Sequence, residues 1–291
     1  MAGPTLLTPR DSHTANVISD GRVVLVGGYP GEGAGVLSSI EVFDADTISS
    51  QLDLVQARGG HASAVVADGE VLVVGGWISS RTYTATAELI DADAGTVTQL
   101  PDLPWAADAL DAVTLQDGRV LVTGGQIAAG IPTAEAAIYD PTTGQWVSVD
   151  PMRTARLKHF SVVLGDGRVL VMGGDIGNES ITATTEIFDP ATLTFTFGPD
   201  MSEPRYKFPG GALALDDNRV LIAGGGRSAE IVDIESGTTS VVAGFQQVGS
   251  FATLSRLGNG DFIIIGGYDD RITLRRTAII VDSATVGDRS G

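Results

Sequence analysis

Asp166-Gly-Arg-Val-Leu-Val-Met-Gly173-Gly174 runs from a turn signal, through an apolar strand, to a glycine pair. The pattern recurs as DGRVVLVGG ending at Gly28, DGEVLVVGG at Gly76, DGRVLVTGG at Gly125, DNRVLIAGG at Gly225 and NGDFIIIGG at Gly267. The first glycines of the six pairs are Gly27, Gly75, Gly124, Gly173, Gly224 and Gly266, so successive steps are 48, 49, 49, 51 and 42 residues. A period near 50 with one supersecondary unit per repeat is the signature of a propeller of four-stranded blades.

Each repeat reads as four strands, a to d. In the fourth, strand a is expected at 159–164, strand b at 168–172, strand c at 184–189 and strand d near 193–197. Strand b is apolar on both faces, as expected of a strand covered on both sides by neighbouring blades. Asp-Gly between strands a and b predicts a two-residue hairpin turn. Asp-Pro-x-Thr between strands c and d (Asp140, Asp189) predicts an Asp side chain bonding its own backbone. The Asp pairs at 44/46 and 91/93 fall in the same turns.

The repeats resemble the Kelch family along almost the whole chain. The resemblance implies an all-β, six-bladed β-propeller of four-stranded antiparallel blades, with residues 1–291 as a single domain. Repeat six lacks a convincing strand d, and Ala2 to Arg10 resemble the tail of the strand-d segments elsewhere, so both termini are expected to close the last blade. Kelch-like propellers are used mainly for protein binding, and some are enzymes. Galactose oxidase resembles this architecture but needs a cysteine crosslinked to a tyrosine, and this chain has no cysteine. Sialic acid mutarotase is similar in blade number, but no local motif carries its residues over.

The 291 residues bear a net charge of −18. That disfavours nucleic acid and anionic membrane surfaces as partners, since both would repel the chain. No apolar run is long enough for a membrane-spanning helix. The absence of cysteine excludes disulfides and thiolate chemistry. The expectation is a soluble monomer, cytoplasmic if Met1 is native and extracytoplasmic if a leader was removed. No cofactor is implied.

Cations gather in particular loops. Arg10, Arg58, Arg153, Arg156, Lys158, Arg205 and Lys207 lie between strands d and a; Arg81, Arg227 and Arg271 lie between strands b and c. These are ten of the 18 cations, on loops that border one rim. Tyr29, Trp77 and Tyr268 follow glycine pairs, and Tyr206 joins them from a d–a loop. Arginine forks suit carboxylates and phosphates, and aromatics suit a small polar ligand or a peptide. The expected function is recognition of a peptide, protein or small anionic ligand at this rim. The ligand set is Arg10, Arg58, Arg81, Arg156, Lys158, Arg205, Tyr206, Arg227, Arg271, Tyr29, Trp77 and Tyr268.

All three histidines follow an arginine at the same spacing: Arg10-x-x-His13, Arg58-x-x-His61 and Arg156-x-x-His159. One reading ties Arg and His into the repeat's own hydrogen bonding. A second makes the histidines acid–base groups of an isomerase, lyase or cyclase. A third is a three-histidine metal site, which convergence of residues on blades one, two and four makes awkward. Glu41, Glu88, Glu186 and Glu230 recur in strand c, and recurrence at one repeat position assigns them to the scaffold.

Overall fold

The structure is a computed structural model that describes residues 5–44, 47–66, 69–79, 82–216, 218–246, 250–268 and 278–287. Asp46, Arg81, Arg271 and residues 1–4, all of which figure in the sequence reading, lie outside these. The fold class is all-β, a six-bladed β-propeller of antiparallel blades. The chain divides into two compact units, Met1–Val149 and Asp150–Gly291.

The first unit holds three four-stranded sheets. Blade one is β1 (Thr14–Val17), β2 (Val23–Val26), β3 (Ser39–Asp44) and β4 (Thr47–Asp53), paired in that order. Blade two is β5 (Ala62–Val65) and β6 (Glu70–Val74), then, after a small hairpin of β7 (Trp77–Ser79) and β8 (Thr82–Tyr83), β9 (Ala87–Asp91) and β10 (Thr96–Leu100). Blade three repeats this plan with β11 (Asp111–Thr114), β12 (Val120–Thr123), the hairpin β13 (Gln126–Ala128) and β14 (Ile131–Pro132), β15 (Ala136–Asp140) and β16 (Gln145–Ser148). The two hairpins are additions to the four-strand reading.

The second unit holds blade four, β17 (Phe160–Val163), β18 (Val169–Met172), β19 (Thr185–Asp189) and β20 (Thr194–Phe197). Blade five is β21 (Ala212–Ala214), β22 (Arg219–Ile222), β23 (Ser228–Asp233) and β24 (Thr238–Gln246). Blade six has three strands among the described residues, β25 (Ser250–Arg256), β26 (Phe262–Tyr268) and β27 (Ala278–Val281), and a 3-10 turn, Ser283–Val286, follows.

Blades pack through alternate faces of strand b. Val24 and Val26 of blade one share a core with Val71 and Val73 of blade two, while Leu72 and Val74 turn to Val120 and Val122 of blade three. Leu170 and Met172 likewise meet Val220 and Ile222, and Leu221 meets Phe262 and Ile264. The expectation of two covered faces holds for β6, β12 and β18, whose apolar side chains are all buried. In β26, Phe262 and Ile264 are buried and Ile265 is 49% exposed, and Ile280 of β27 is 65% exposed.

The a–b turn also differs from expectation. The loop is wider than two residues: Leu164 N–H donates to the Arg168 carbonyl at 2.8 Å and Gly167 N–H to the Leu164 carbonyl at 3.0 Å. Gly167 sits at φ +90°, the left-handed residue of a bulged turn. The Asp166 carboxylate accepts from the Arg168 backbone N–H at 3.0 Å and from its Nε at 2.6 Å. The c–d turns follow expectation, with Asp140, Asp189 and Asp91 accepting backbone N–H groups two residues on.

The glycine pairs have a steric cause. Gly27 (φ +56°) and Gly28 (φ +103°) are both left-handed. A Cβ on Gly27 would lie 2.6 Å from the Arg58 carbonyl oxygen of the next blade, and one on Gly28 would lie 2.5 Å from the Asp11 carbonyl oxygen. Only a residue without a side chain permits that approach.

Candidate functional site

Four of the arginines assigned to ligand binding belong to the scaffold. The side chains of Arg10, Arg58, Arg156 and Arg205 are 0% exposed, and each is ion-paired to a strand-c glutamate, Glu41, Glu88, Glu186 and Glu230 respectively. Arg58 shows the pattern. Nη1 donates to the carbonyls of Gly75 and Thr86, both at 2.8 Å; Nη2 donates to Thr86 Oγ1 and Glu88 Oε1, both at 2.7 Å. Glu88 also accepts from the backbone N–H groups of Val55 and Gln56, at 2.7 and 3.1 Å. The fork thus fastens the end of strand b to strand c, and the carboxylate fastens the incoming d–a loop. Glu186 does the same for Arg153 and Thr154, and Glu230 for Ser202. A buried charge needs such a full set of partners.

The two blades without this arginine also lack the glutamate. In blade three the arginine position is Ala107 and the glutamate position, opposite Val122, is Ala137, both buried. There the indole Nε1–H of Trp105 donates to the Gly124 carbonyl at 3.1 Å, the equivalent of the Gly75 carbonyl that Arg58 holds. In blade six Ile279 stands opposite Ile264, and residues 247–252 contain no arginine. The pair is kept or lost as a unit, as expected when a lone buried charge is costly.

Two of the three histidines are core residues, and His13 is half-buried. His61 and His159 are each 5% exposed. Burial first, then the neighbouring Arg58 and His13, depress His61 to a pKa of about 3. Burial and Arg156 do the same to His159, also to about 3. His13 is lowered chiefly by burial, then by Arg10. His61 Nε2 bonds Thr14 Oγ1 at 2.9 Å, and Asn16 Nδ2 donates to Ser63 Oγ at 2.7 Å, so polar contacts link β1 to β5. His61 and His159 are therefore neutral imidazoles at physiological pH, each enclosed within its unit. The three-histidine site is corrected: among the described residues no group of three or more His, Cys, Asp or Glu is placed to hold a metal ion.

What remains on these loops differs between the units. In the second unit, Lys158 is exposed and Lys207 half-buried. They are the only lysines of the chain, and both stand two residues after a buried arginine. Both are left-handed, at φ +52° and +54°. Lys207 N–H donates to the Lys158 carbonyl at 3.1 Å, and Phe251 N–H (φ +58°) donates to the Lys207 carbonyl at 2.7 Å. The Lys207 ammonium lies 4.9 Å from the centre of the Tyr206 ring. Arg227 is exposed on the b–c loop of blade five, and Tyr268 packs against Phe251 with ring centres 5.7 Å apart. Sequence reasoning missed the left-handed belt, although the Arg-x-Lys spacing was visible. In the first unit the same belt carries Ser12, Gly60 and Ala109, and the loops display Tyr29 and Trp77 instead, with ring centres 5.7 Å apart.

The Kelch motif matches residues 58–104, 112–153 and 156–202. These are Kelch repeats. They correspond to blades two, three and four, and Trp105 and Ala107 fall in the gap between the first two matches. A solved structure of a fungal alcohol oxidase of the AA5 family, in complex with copper, aligns with 97% of this chain at a TM-score of 0.74 and 18% identity. At that identity the likeness is one of fold. This chain spans 65% of the length of that structure's chain. A search of curated proteins finds no match. No helix among the described residues is long and apolar enough to cross a membrane.

Proposed function

We propose that this chain is a recognition module that binds an acidic peptide or another carboxylate-bearing ligand through the loops of blades four and five. The residues are Lys158, Lys207 and Tyr206, with Arg227 on the same blade as Lys207. The observation that carries the reading is the placement of the only two lysines at equivalent, left-handed positions of adjacent blades. A side chain with a Cβ costs energy in that conformation, and blade two uses glycine there. Retaining lysine at two consecutive belt positions fits selection for charge. Kelch propellers commonly bind proteins, which supports a peptide over a metabolite.

The test is calorimetric titration with an acidic peptide at several salt concentrations. Binding should weaken as salt rises. Lys158→Gln and Lys207→Gln should each weaken it by about 1–3 kcal/mol, the range for hydrogen bonds to charged groups, with little change in melting temperature. Binding that is indifferent to salt and to both substitutions would overturn the reading.

A further inference from the structure

The loops of the first unit carry a different chemistry. Tyr29 and Trp77 are half-buried, and their rings are tilted at 57° to each other. Both are held by backbone bridges: Tyr29 exchanges N–H···O bonds with Asp11 at 2.8 and 2.9 Å, and Trp77 with Gly59 at 2.8 and 3.0 Å. The indole lies over the Gly59–Gly60 peptide so closely that a Cβ on Gly60 would come within 2.9 Å of it. Trp77 is therefore positioned before any ligand arrives. Opposite it in the β7–β8 hairpin stands Tyr83. The Tyr83 hydroxyl accepts from Gln126 Nε2 at 2.7 Å, and the same amide nitrogen donates to Asp108 Oδ1 at 3.1 Å.

Among the described residues, the exposed charges on the d–a and b–c loops of blades one and two are negative. Asp11 is exposed beside Tyr29, and Asp108 closes the other end of the strip. The side chains of Arg10 and Arg58, on the adjoining d–a loops, are buried and ion-paired, and Arg81, in the turn of the β7–β8 hairpin, lies outside the described residues. Burial, followed by the charge of Asp108, raises the Tyr83 phenol above its ordinary value. The two rings meet at 57° with centres 5.7 Å apart, so they offer a rounded group two differently tilted faces rather than the single flat face on which a sugar stacks. The negative faces of the rings and a flanking carboxylate both favour a cation.

We propose that Tyr29, Trp77 and Asp11 form a binding site for an alkylammonium group, whether on a small molecule or on a lysine-type side chain. The site is independent of the lysines of blades four and five. The experiment is calorimetric titration of the full chain with choline, with 3,3-dimethylbutan-1-ol as its uncharged isostere, with a trimethyllysine peptide, and with a neutral disaccharide. Choline or the peptide should bind at least about tenfold more tightly than the isostere, and which of the two binds identifies the source of the group. Trp77→Leu should abolish binding. Asp11→Asn, at an exposed position, should weaken it several-fold without altering the fold, and Lys158→Gln should leave it unchanged. Equal binding of the isostere, preference for the disaccharide, no saturable binding of either cation, or full binding by the folded Asp11→Asn variant would each overturn the proposal.

Discussion

A guanidinium that faces a ligand and one that faces a buried carboxylate are the same residue in a sequence; only the partner distinguishes them. Here the partner is Glu41, Glu88, Glu186 or Glu230, and that assignment has a thermodynamic consequence. Arg58→Ala or Glu88→Ala alone should cost about 3–5 kcal/mol, because each strands an unpaired buried charge. The double substitution should cost clearly less than the sum, and blade three, with Ala107 and Ala137 in those positions, shows that the repeat tolerates the loss of both. Denaturant titration of the three variants measures the coupling, and strict additivity would refute it. The histidines give a second consequence. Their unfolded pKa is near 6.5 and the folded values of His61 and His159 are about 3, so below pH 6.5 the unfolded chain takes up protons that the folded chain refuses. Stability should therefore fall as pH drops from about 6.5 toward 3, by about 2 kcal/mol per histidine at pH 5. Urea midpoints at pH 7 and pH 5 would show the loss, and it should shrink in His61→Gln/His159→Gln. A midpoint unchanged between the two pH values would contradict the buried, neutral assignment.

Among the elements, strand b was the most legible and also the most uneven. Its apolar run and terminal glycines were readable because both faces of a blade must be covered and because the next chain segment passes too close for a Cβ. Leu121 is 1% and Val171 0% exposed. Leu121→Ala and Val171→Ala should each cost about 2–4 kcal/mol, lost burial plus cavity. Ile265, at the matching end of β26, is 49% exposed, so Ile265→Ala should cost under about 1 kcal/mol. Chemical denaturation of the three variants checks the contrast, and equal costs would mean that β26 is covered on both faces. The β7–β8 and β13–β14 hairpins escaped the sequence reading because two- and three-residue strands leave too short an alternation to separate from a loop. The Asp-Gly turn was placed correctly but given the wrong width: its Asp holds Arg168 rather than completing a two-residue turn.

At the scale of the whole molecule, the 48-to-51-residue spacing of the first five glycine pairs carried the fold, since stacked repeats impose one register on every copy. The same repetition obscured the site. Arg, His and Glu recur because the blades that carry them use the same internal ties, so recurrence marked scaffold, and the two proposals draw on residues outside those ties, Lys158, Lys207, Tyr29 and Trp77. The first described residues follow the repeat's rule as well. Leu7 N–H donates to Glu41 at 3.1 Å, three residues before Arg10. Val55 and Arg153 make the same bond to Glu88 and Glu186, three residues before Arg58 and Arg156. Residues 5–9 thus do for blade one what the segment after strand d does for blades two and four. Deleting residues 1–9 removes a backbone donor from a buried carboxylate, a loss of about 1.5–3 kcal/mol for a hydrogen bond to a charged group. Arg10 remains but loses the chain that holds it in place. The truncated protein should melt several degrees below the full chain at equal concentration. Restoring residues 5–9 with Leu7→Pro, which cannot donate that hydrogen bond, should recover only part of the difference. A truncated protein that melts within a degree of the full chain would show that Glu41 does not need this segment.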